Sequence, residues 1–125
     1  MNKLVIVRRT NGRFARKDPT IKLEMKGNRF IFNNQVAENV KLKSEDGVMF
    51  GFNYKAKKAY LFKDDEPDSF RLKTKSVNDS NLRFTSKDLM IHFINCFQMS
   101  TAESKYYFKV AKTPTSKGAF LITFE

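Results

Sequence analysis

The sequence predicts an α+β fold in which one main helix, at about residues 85–98, packs on a curved antiparallel sheet, with a short helix near residues 34–40. Three observations predict it. Most segments alternate apolar and polar residues with a period of two, which is typical of half-buried strands. One longer segment has helical spacing, and a length of 125 residues suits one hydrophobic core. We therefore expect a single domain over residues 1–125, with a basic N-terminal arm at about residues 1–19.

The first two strands of the sheet are predicted to form a hairpin. Residues 20–25 alternate apolar and charged side chains. Gly27 and Asn28 suit a tight turn, and residues 29–32 form the return strand. Residues 3–7 also read as a strand, so at least the beginning of the arm is expected to be ordered.

The short helix follows this hairpin. Asn33 or Asn34 can cap it, because a short amide side chain can accept from the free N–H groups of the first turn. Val36 and Val40 lie four residues apart and therefore share one face. Leu42 then closes the helix against the core.

Two further strands are predicted at residues 48–54 and 58–63, joined by a turn at residues 55–57. The first has a large apolar side chain at every second position, so that face must be buried or must form a platform. Residues 64–68 form an acidic loop, because Pro67 cannot donate to a strand ladder and clustered carboxylates repel one another.

The second half of the chain supplies the remaining strands. Residues 70–75 show the cleanest alternation in the sequence, and residues 81–84 form a short strand. The chain ends in a predicted hairpin between residues 105–112 and 119–125.

The main helix is predicted from its cap and its apolar arc. Thr85 or Ser86 can cap it, and Asp88 lies in the first turn, where the positive end of the helix dipole favours a carboxylate. Ile91 points away from the apolar arc and is expected to be exposed. The arc that should cover the sheet consists of Leu89, Met90, Phe93, Cys96 and Phe97.

Net charge is the strongest functional signal. The chain carries 24 basic and 13 acidic residues, a net charge of +11. Residues 1–17 contain six basic residues and no acidic one, which indicates either a solvated tail or an arm that contacts nucleic acid. Such a charge attracts polyanions, so nucleic acid is the leading partner, ahead of an anionic membrane surface or an acidic protein.

Several other classes of protein are excluded. No apolar run approaches the roughly 18–20 residues that cross a bilayer, and residues 1–7 are too short and too soon charged for a signal peptide. We expect a cytoplasmic protein without a membrane partner, found in the host cytoplasm or the virion if it is viral. Cys96 is the single cysteine, so an intramolecular disulfide and a multi-cysteine zinc site within one chain are excluded.

Catalysis has little support. His92 and Cys96 are four residues apart in the main helix, a spacing that could bring an imidazole and a thiol together. The helical wheel instead indicates a core cysteine beside a boundary histidine. The acidic loop lacks the ligand spacing of an EF-hand and is interpreted as a solvated loop that repels nucleic acid from its end of the molecule. The chain has one histidine, and we predict no Ser-His-Asp set around it. We predict no enzymatic activity, no metal site and no cofactor.

The binding evidence is the interleaving of aromatic and basic residues. Phe and Tyr number 13 and 4, and rings beside cations suit a groove that follows phosphates and stacks bases, although Phe also fills cores and exposed Lys also confers solubility. Tyrosine is the better stacking candidate because its hydroxyl favours partial exposure. The predicted nucleic-acid-binding residues are Arg8, Arg9, Arg13, Arg16, Lys17, Tyr54, Lys55, Lys57, Lys58, Tyr60, Arg71, Lys73, Lys75, Tyr107 and Lys109.

One stretch of the chain resembles a known family. Residues 27–63, with Val36, Val40 and Leu42 in and after the helix and Asp46 in the loop, are similar to the AbrB/MazE-type swapped-hairpin family. The resemblance implies a strand-helix-strand unit and a dimeric DNA-binding regulator or antitoxin. It favours DNA over RNA as the partner.

The sequence thus predicts a non-enzymatic, sequence-tolerant nucleic-acid-binding protein that neutralises phosphates and stacks bases. Specificity for single strands and homo-oligomerisation are left open. The alternative is a small structural or assembly protein of a virus particle or other large complex, whose basic arm docks on an acidic partner. A third class, an inhibitor that covers an acidic site on a host protein, fits the same features.

Overall fold

The computed structural model describes residues 18–74 and 81–125. The predicted arm therefore lies almost entirely outside the described residues. The elements in chain order are β1 (Thr20–Glu24), β2 (Arg29–Phe32), α1 (Asn34–Val40), β3 (Gly47–Asn53), β4 (Lys58–Lys63), β5 (Phe70–Arg71), β6 (Leu82–Thr85), α2 (Lys87–Phe97), β7 (Lys105–Val110) and β8 (Phe120–Phe124).

The eight strands of the described residues belong to one sheet with the order β5-β3-β4-β8-β7-β1-β2-β6. Each neighbouring pair is antiparallel. Three pairs are hairpins, β1 with β2, β3 with β4, and β7 with β8, as the turn and loop sequences predict. The other pairings join strands that are distant in sequence, such as β2 with β6.

The two ends of the sheet meet, so the molecule is close to a barrel. Lys73 bridges to Arg83, and each backbone N–H donates to the other residue's carbonyl oxygen at 2.8 Å. The predicted α+β class is confirmed in its broad form. The prediction of a curved sheet with one main helix packed on it is only partly right, because the sheet almost closes on itself.

The strand predicted at residues 70–75 is shorter than expected, and this difference explains the closure. Only Phe70 and Arg71 pair with β3. The backbone of Leu72 bonds to the loop before β3, accepting from the Glu45 N–H at 2.7 Å and donating to the Asp46 carbonyl oxygen at 2.9 Å. One residue later the chain pairs with β6 instead. The segment therefore passes from one edge of the sheet to the other.

The interior is filled largely by phenylalanine. Phe30, Phe32, Phe93 and Phe108 are fully buried, together with aliphatic residues from most strands. The Phe30 ring lies 5.2 Å from the rings of both Phe84 and Phe93. Because strand side chains alternate between the two faces, filling the interior with these rings leaves the charged residues on the outside.

Helix α2 packs against β3 and β4 and against the rings of the interior. Ser86 caps it, its hydroxyl accepting from the Leu89 N–H at 3.1 Å. Phe93 inserts into the barrel, with its ring 5.7 Å from Phe50 and 4.8 Å from Phe108. The predicted apolar arc is confirmed, and Ile91 is exposed as expected.

Helix α1 confirms the predicted cap and its apolar face. Asn33, rather than Asn34, is the cap, and its Oδ1 accepts from the backbone N–H groups of Val36 and Thr20 at 3.1 Å each. Val36 and Val40 are buried. Of the helices in residues 18–74 and 81–125, none combines the length and apolar character needed to cross a bilayer.

Candidate nucleic-acid interface

The predicted binding residues fall into four groups in the structure. Six of them, Arg8, Arg9, Arg13, Arg16, Lys17 and Lys75, lie outside the described residues. Arg71 and Lys73 line a groove, and Tyr54 with Lys55, Lys57 and Lys58 lies at the β3–β4 turn. Tyr60, Tyr107 and Lys109 lie on the outer surface of the sheet.

The groove follows the line where β5 and the residues after it meet β6, and we call it the seam groove. Its cationic side chains come from three separate stretches of chain and are Arg29, Arg71, Lys73 and Arg83. The rings of Phe70 and Phe84, stacked 5.1 Å apart, also line it. It encloses about 460 Å³. The strand alternation explains the arrangement, since the cations occupy outward positions beside inward apolar residues.

The arginines of the seam groove are held in different ways. The Arg71 guanidinium donates to the carbonyl oxygens of Glu45, Asp65 and Glu66 at 3.1–3.4 Å. These oxygens are uncharged and orient Arg71, and none of the ion pairs that join described residues involves it. Arg29 pairs with the Glu24 carboxylate at 3.1 Å, an exposed ion pair that contributes little to stability.

The acidic loop borders the seam groove beside Arg71. The Arg71 guanidinium donates to the backbone of this loop, which places residues 64–68 close to the groove. Arg29 and Thr85 also line the groove, and Thr85 is next to the start of α2. A polyanion in the groove would therefore be repelled by the carboxylates of the loop where it passes Arg71.

Sequence reasoning missed two residues of the seam groove, Arg29 and Arg83. Both are outward-facing basic residues on alternating strands, which is a weak signal because such residues are common on solvated faces. Their proximity depends on β2 pairing with β6, where Ile31 is the partner of Arg83. That pairing joins strands about fifty residues apart in the sequence.

A second candidate surface is the ring cluster of Phe52, Tyr54 and His92. Phe52 stacks on His92 with ring centres 5.5 Å apart and on Tyr54 at 5.9 Å. The Tyr54 hydroxyl and His92 Nδ1 form a hydrogen bond that links the β3–β4 turn to α2. Sequence reasoning identified Tyr54 but placed His92 only at the edge of the core.

Three exposed lysines lie beside the ring cluster, and we call Lys55, Lys57 and Lys58 the turn lysines. None of the ion pairs that join described residues involves them. A hydrogen bond within the turn stabilises it, because Asn53 Oδ1 accepts from the Ala56 N–H at 3.0 Å. The most densely interleaved stretch of the sequence therefore brings one tyrosine and three uncompensated cations to one place.

The remaining predicted residues are not brought together. Tyr60 is on β4 and Tyr107 is on β7, and β8 lies between these strands. Both tyrosines are half-buried, and Lys109 is exposed. Tyr107 and Lys109 are therefore separated from the turn lysines, whereas Tyr60 lies on the same face of β4 as Lys58, two residues away.

Cys96 is a core residue, as the helical wheel predicts. It is buried, and its Sγ lies 3.5 Å from the Lys58 carbonyl oxygen and 3.8 Å from that of Asn53. Burial raises the pKa of the Cys96 thiol, and hydrogen bonding to the Lys58 backbone opposes this only in part. His92 points instead to Tyr54. Among residues 18–74 and 81–125 no three His, Cys, Asp or Glu side chains are grouped so as to hold a metal ion.

Comparison with protein-family models, curated proteins and solved structures finds no match to this chain. The similarity of residues 27–63 to the AbrB/MazE-type family therefore stays a prediction. The functional proposals that follow rest on the observed geometry, except for the preference for DNA over RNA, which rests on that similarity.

Proposed function

We propose that this protein binds nucleic acid, catalyses no reaction, and neutralises phosphates in the seam groove. The observation that carries the proposal is the convergence of Arg29, Arg71, Lys73 and Arg83 on one concave surface. A groove lined by cations concentrates positive potential, which attracts a polyphosphate chain and raises the rate of association.

The binding is proposed to be tolerant of sequence. Lysine and arginine contacts to phosphates position a nucleic acid but carry no information on its bases. The groove lies between strands, and α2 packs its apolar face on the barrel. This arrangement does not resemble a recognition helix that presents side chains to base edges in the major groove. A preference for DNA over RNA is proposed on the resemblance of residues 27–63 alone.

The alternative function, docking within a virus particle or another large complex, has its own supporting observation. Ile91 is 42% exposed on α2, and Phe124 is 40% exposed near the end of the chain. Exposed apolar side chains favour protein contacts. Ile91 and Phe124 lie on different elements, however, and neither is adjacent in sequence to a cation of the seam groove.

A salt titration with matched variants tests the proposed function. We expect the double variant Arg29→Gln, Lys73→Gln to bind single-stranded oligonucleotides more weakly. The slope of log affinity against log salt should fall in magnitude by about 1.4, because each lost phosphate contact removes about 0.7. Fluorescence anisotropy over a salt series measures this slope.

The control removes the same charge elsewhere. The variant Lys112→Gln, Lys117→Gln changes two exposed lysines near the β7–β8 connection and should leave the slope almost unchanged. Equal losses in both double variants would show that net charge alone governs binding. Absence of any complex at about 50 mM salt, where phosphate contacts are strong, would reject nucleic-acid binding.

A further inference from the structure

The ring cluster is a rigid extension of the core. Phe52 meets the buried Phe93 edge to face, with ring centres 5.3 Å apart and planes at 89°. Phe52 in turn stacks on both Tyr54 and His92. The hydrogen bond between Tyr54 and His92 fixes the outermost ring against the helix. The cluster therefore presents an ordered aromatic surface at little further cost in side-chain entropy on binding.

The outer ring of this cluster is open to a ligand. Tyr54 is 46% exposed, more than any other large apolar or aromatic side chain in the part of the chain that the structure describes. His92 is exposed beside it. An exposed ring whose hydroxyl is already satisfied offers its face, and not its polar tip, for contact.

The charge around these rings selects the class of ligand. The turn lysines follow Tyr54 directly and have no ion-pair partner among the described residues. Asp88, one helical turn before His92 in α2, is the acidic residue of that helix. Three cations beside a flat ring suit a flat ligand with phosphate on both sides, which is a nucleotide within a strand.

We propose that Tyr54 and His92 form a stacking site for an unpaired nucleobase, with the flanking phosphates on the turn lysines, so that the protein prefers single-stranded nucleic acid to duplex. This inference rests on the nucleic-acid-binding function proposed above. Duplex bases are stacked on one another and would have to be extruded, which costs a few kcal/mol, before they could stack on Tyr54.

The position of the stacking site relative to the seam groove supports one continuous path for a bound single strand. The groove reaches Thr85, next to the start of α2. His92 lies six residues beyond the Ser86 cap, about 9 Å along the helix axis at 1.5 Å per residue. A short single strand can therefore span from the groove to the ring cluster.

Abasic oligonucleotides test the stacking site directly. The probes are an adenine-containing single strand of eight nucleotides, the same backbone with abasic sugars, and the corresponding duplex. Wild-type protein should bind the intact strand about tenfold more tightly than the abasic strand, within the range that one base–aromatic stack provides. Fluorescence anisotropy at one fixed salt concentration measures all three affinities.

Variants of Tyr54 distinguish the contribution of its ring to binding from its contribution to folding. Tyr54→Phe keeps the ring and should retain most of the difference between intact and abasic strands. Tyr54→Leu keeps an apolar side chain without an aromatic face and should abolish that difference, while affinity for the abasic strand is unchanged. Circular dichroism and urea unfolding establish that each variant is folded.

The outcomes distinguish the two proposals. If wild-type protein binds neither strand, the proposed function is wrong. If it binds intact and abasic strands equally, or binds duplex as tightly as single strand, the stacking site is wrong and phosphate binding in the seam groove remains. Arg29→Gln, Lys73→Gln should weaken both strands by the same factor, since it removes no ring.

Discussion

The seam groove and the ring cluster are assembled in opposite ways. The groove takes its cations from β2, from β5 and the residues just after it, and from β6, which meet only because the sheet closes. The ring cluster takes Phe52 and Tyr54 from one strand and its turn, and only His92 comes from elsewhere. A surface built from neighbouring residues can be recognised in the sequence, whereas one built by long-range pairing cannot.

The two regions also differ in what holds them in place. Backbone carbonyl oxygens and Glu24 orient the arginines of the groove. Ring contacts that continue into the core orient the ring cluster. A core substitution should therefore disturb the ring cluster first, and a change at the β3–β5 junction should disturb the groove first.

The largest effect is expected when the Phe93 ring, which supports the ring cluster, is removed. Phe93→Ala should lower the free energy of unfolding by about 3–5 kcal/mol, because it leaves a cavity where a fully buried ring contacted several others. Urea unfolding measures the change. Ile91→Ala, on the exposed face of the same helix, should shift stability by only about 0.5 kcal/mol. Similar losses in both variants would mean that α2 is not anchored through Phe93.

A smaller loss of stability is expected from a substitution at Gly47, beside Arg71 of the seam groove. A Cβ at Gly47 would collide with the Asp64 carbonyl oxygen and Ser69 Oγ and would lie 3.1 Å from Arg71 Nη1. Gly47→Ala should therefore lower the free energy of unfolding by about 1–3 kcal/mol, because β3 would have to move away from Asp64 and Ser69.

The matched control for this substitution is on the same strand. A Cβ at Gly51 meets no atom within 4 Å. Gly51→Ala should therefore leave stability unchanged or raise it by about 0.4–1 kcal/mol, since alanine has less freedom in the unfolded chain. Urea unfolding measures both variants. A neutral Gly47→Ala would show that the junction is looser than its contacts indicate.

The smallest expected effect is the change of stability with pH that Cys96 causes, and Cys96 is in α2, the helix that carries His92 of the ring cluster. Because burial raises the pKa of the Cys96 thiol in the folded state, the unfolded chain ionises first as pH rises. The contribution of Cys96 to stability is therefore complete below a pH of about 8.5 and is lost above it. Unfolding free energies of wild type and Cys96→Ala, compared between neutral and alkaline pH, measure the effect. Parallel curves would contradict it.

Local patterns predicted most of the secondary structure. The caps at Asn33 and Ser86, the arc of α2 and the hairpins all appear where the sequence places them. These features depend on residues a few positions apart, so short-range spacing is enough to identify them. The strand at residues 70–75 was predicted too long because its alternation continues while its partner strand changes.

The candidate site was predictable only in part, for the same reason. Tyr54 and the turn lysines are consecutive, and the sequence alone indicated them. Arg29 and Arg83 join Arg71 and Lys73 only through the pairing of β2 with β6 and the bridge that closes the sheet. His92 becomes part of an aromatic surface only because α2 packs against β3.

The sequence by itself determined the period with which apolar and polar residues alternate in each segment, the ends of the helices and the excess of positive charge. Tertiary structure alone decided which outward-facing cations share a groove and which ring stays exposed. Alternation fixes the face of a strand on which a side chain lies, but not the strand beside it. Neighbours are chosen by how the phenylalanine-rich interior packs, and that is a property of the whole chain.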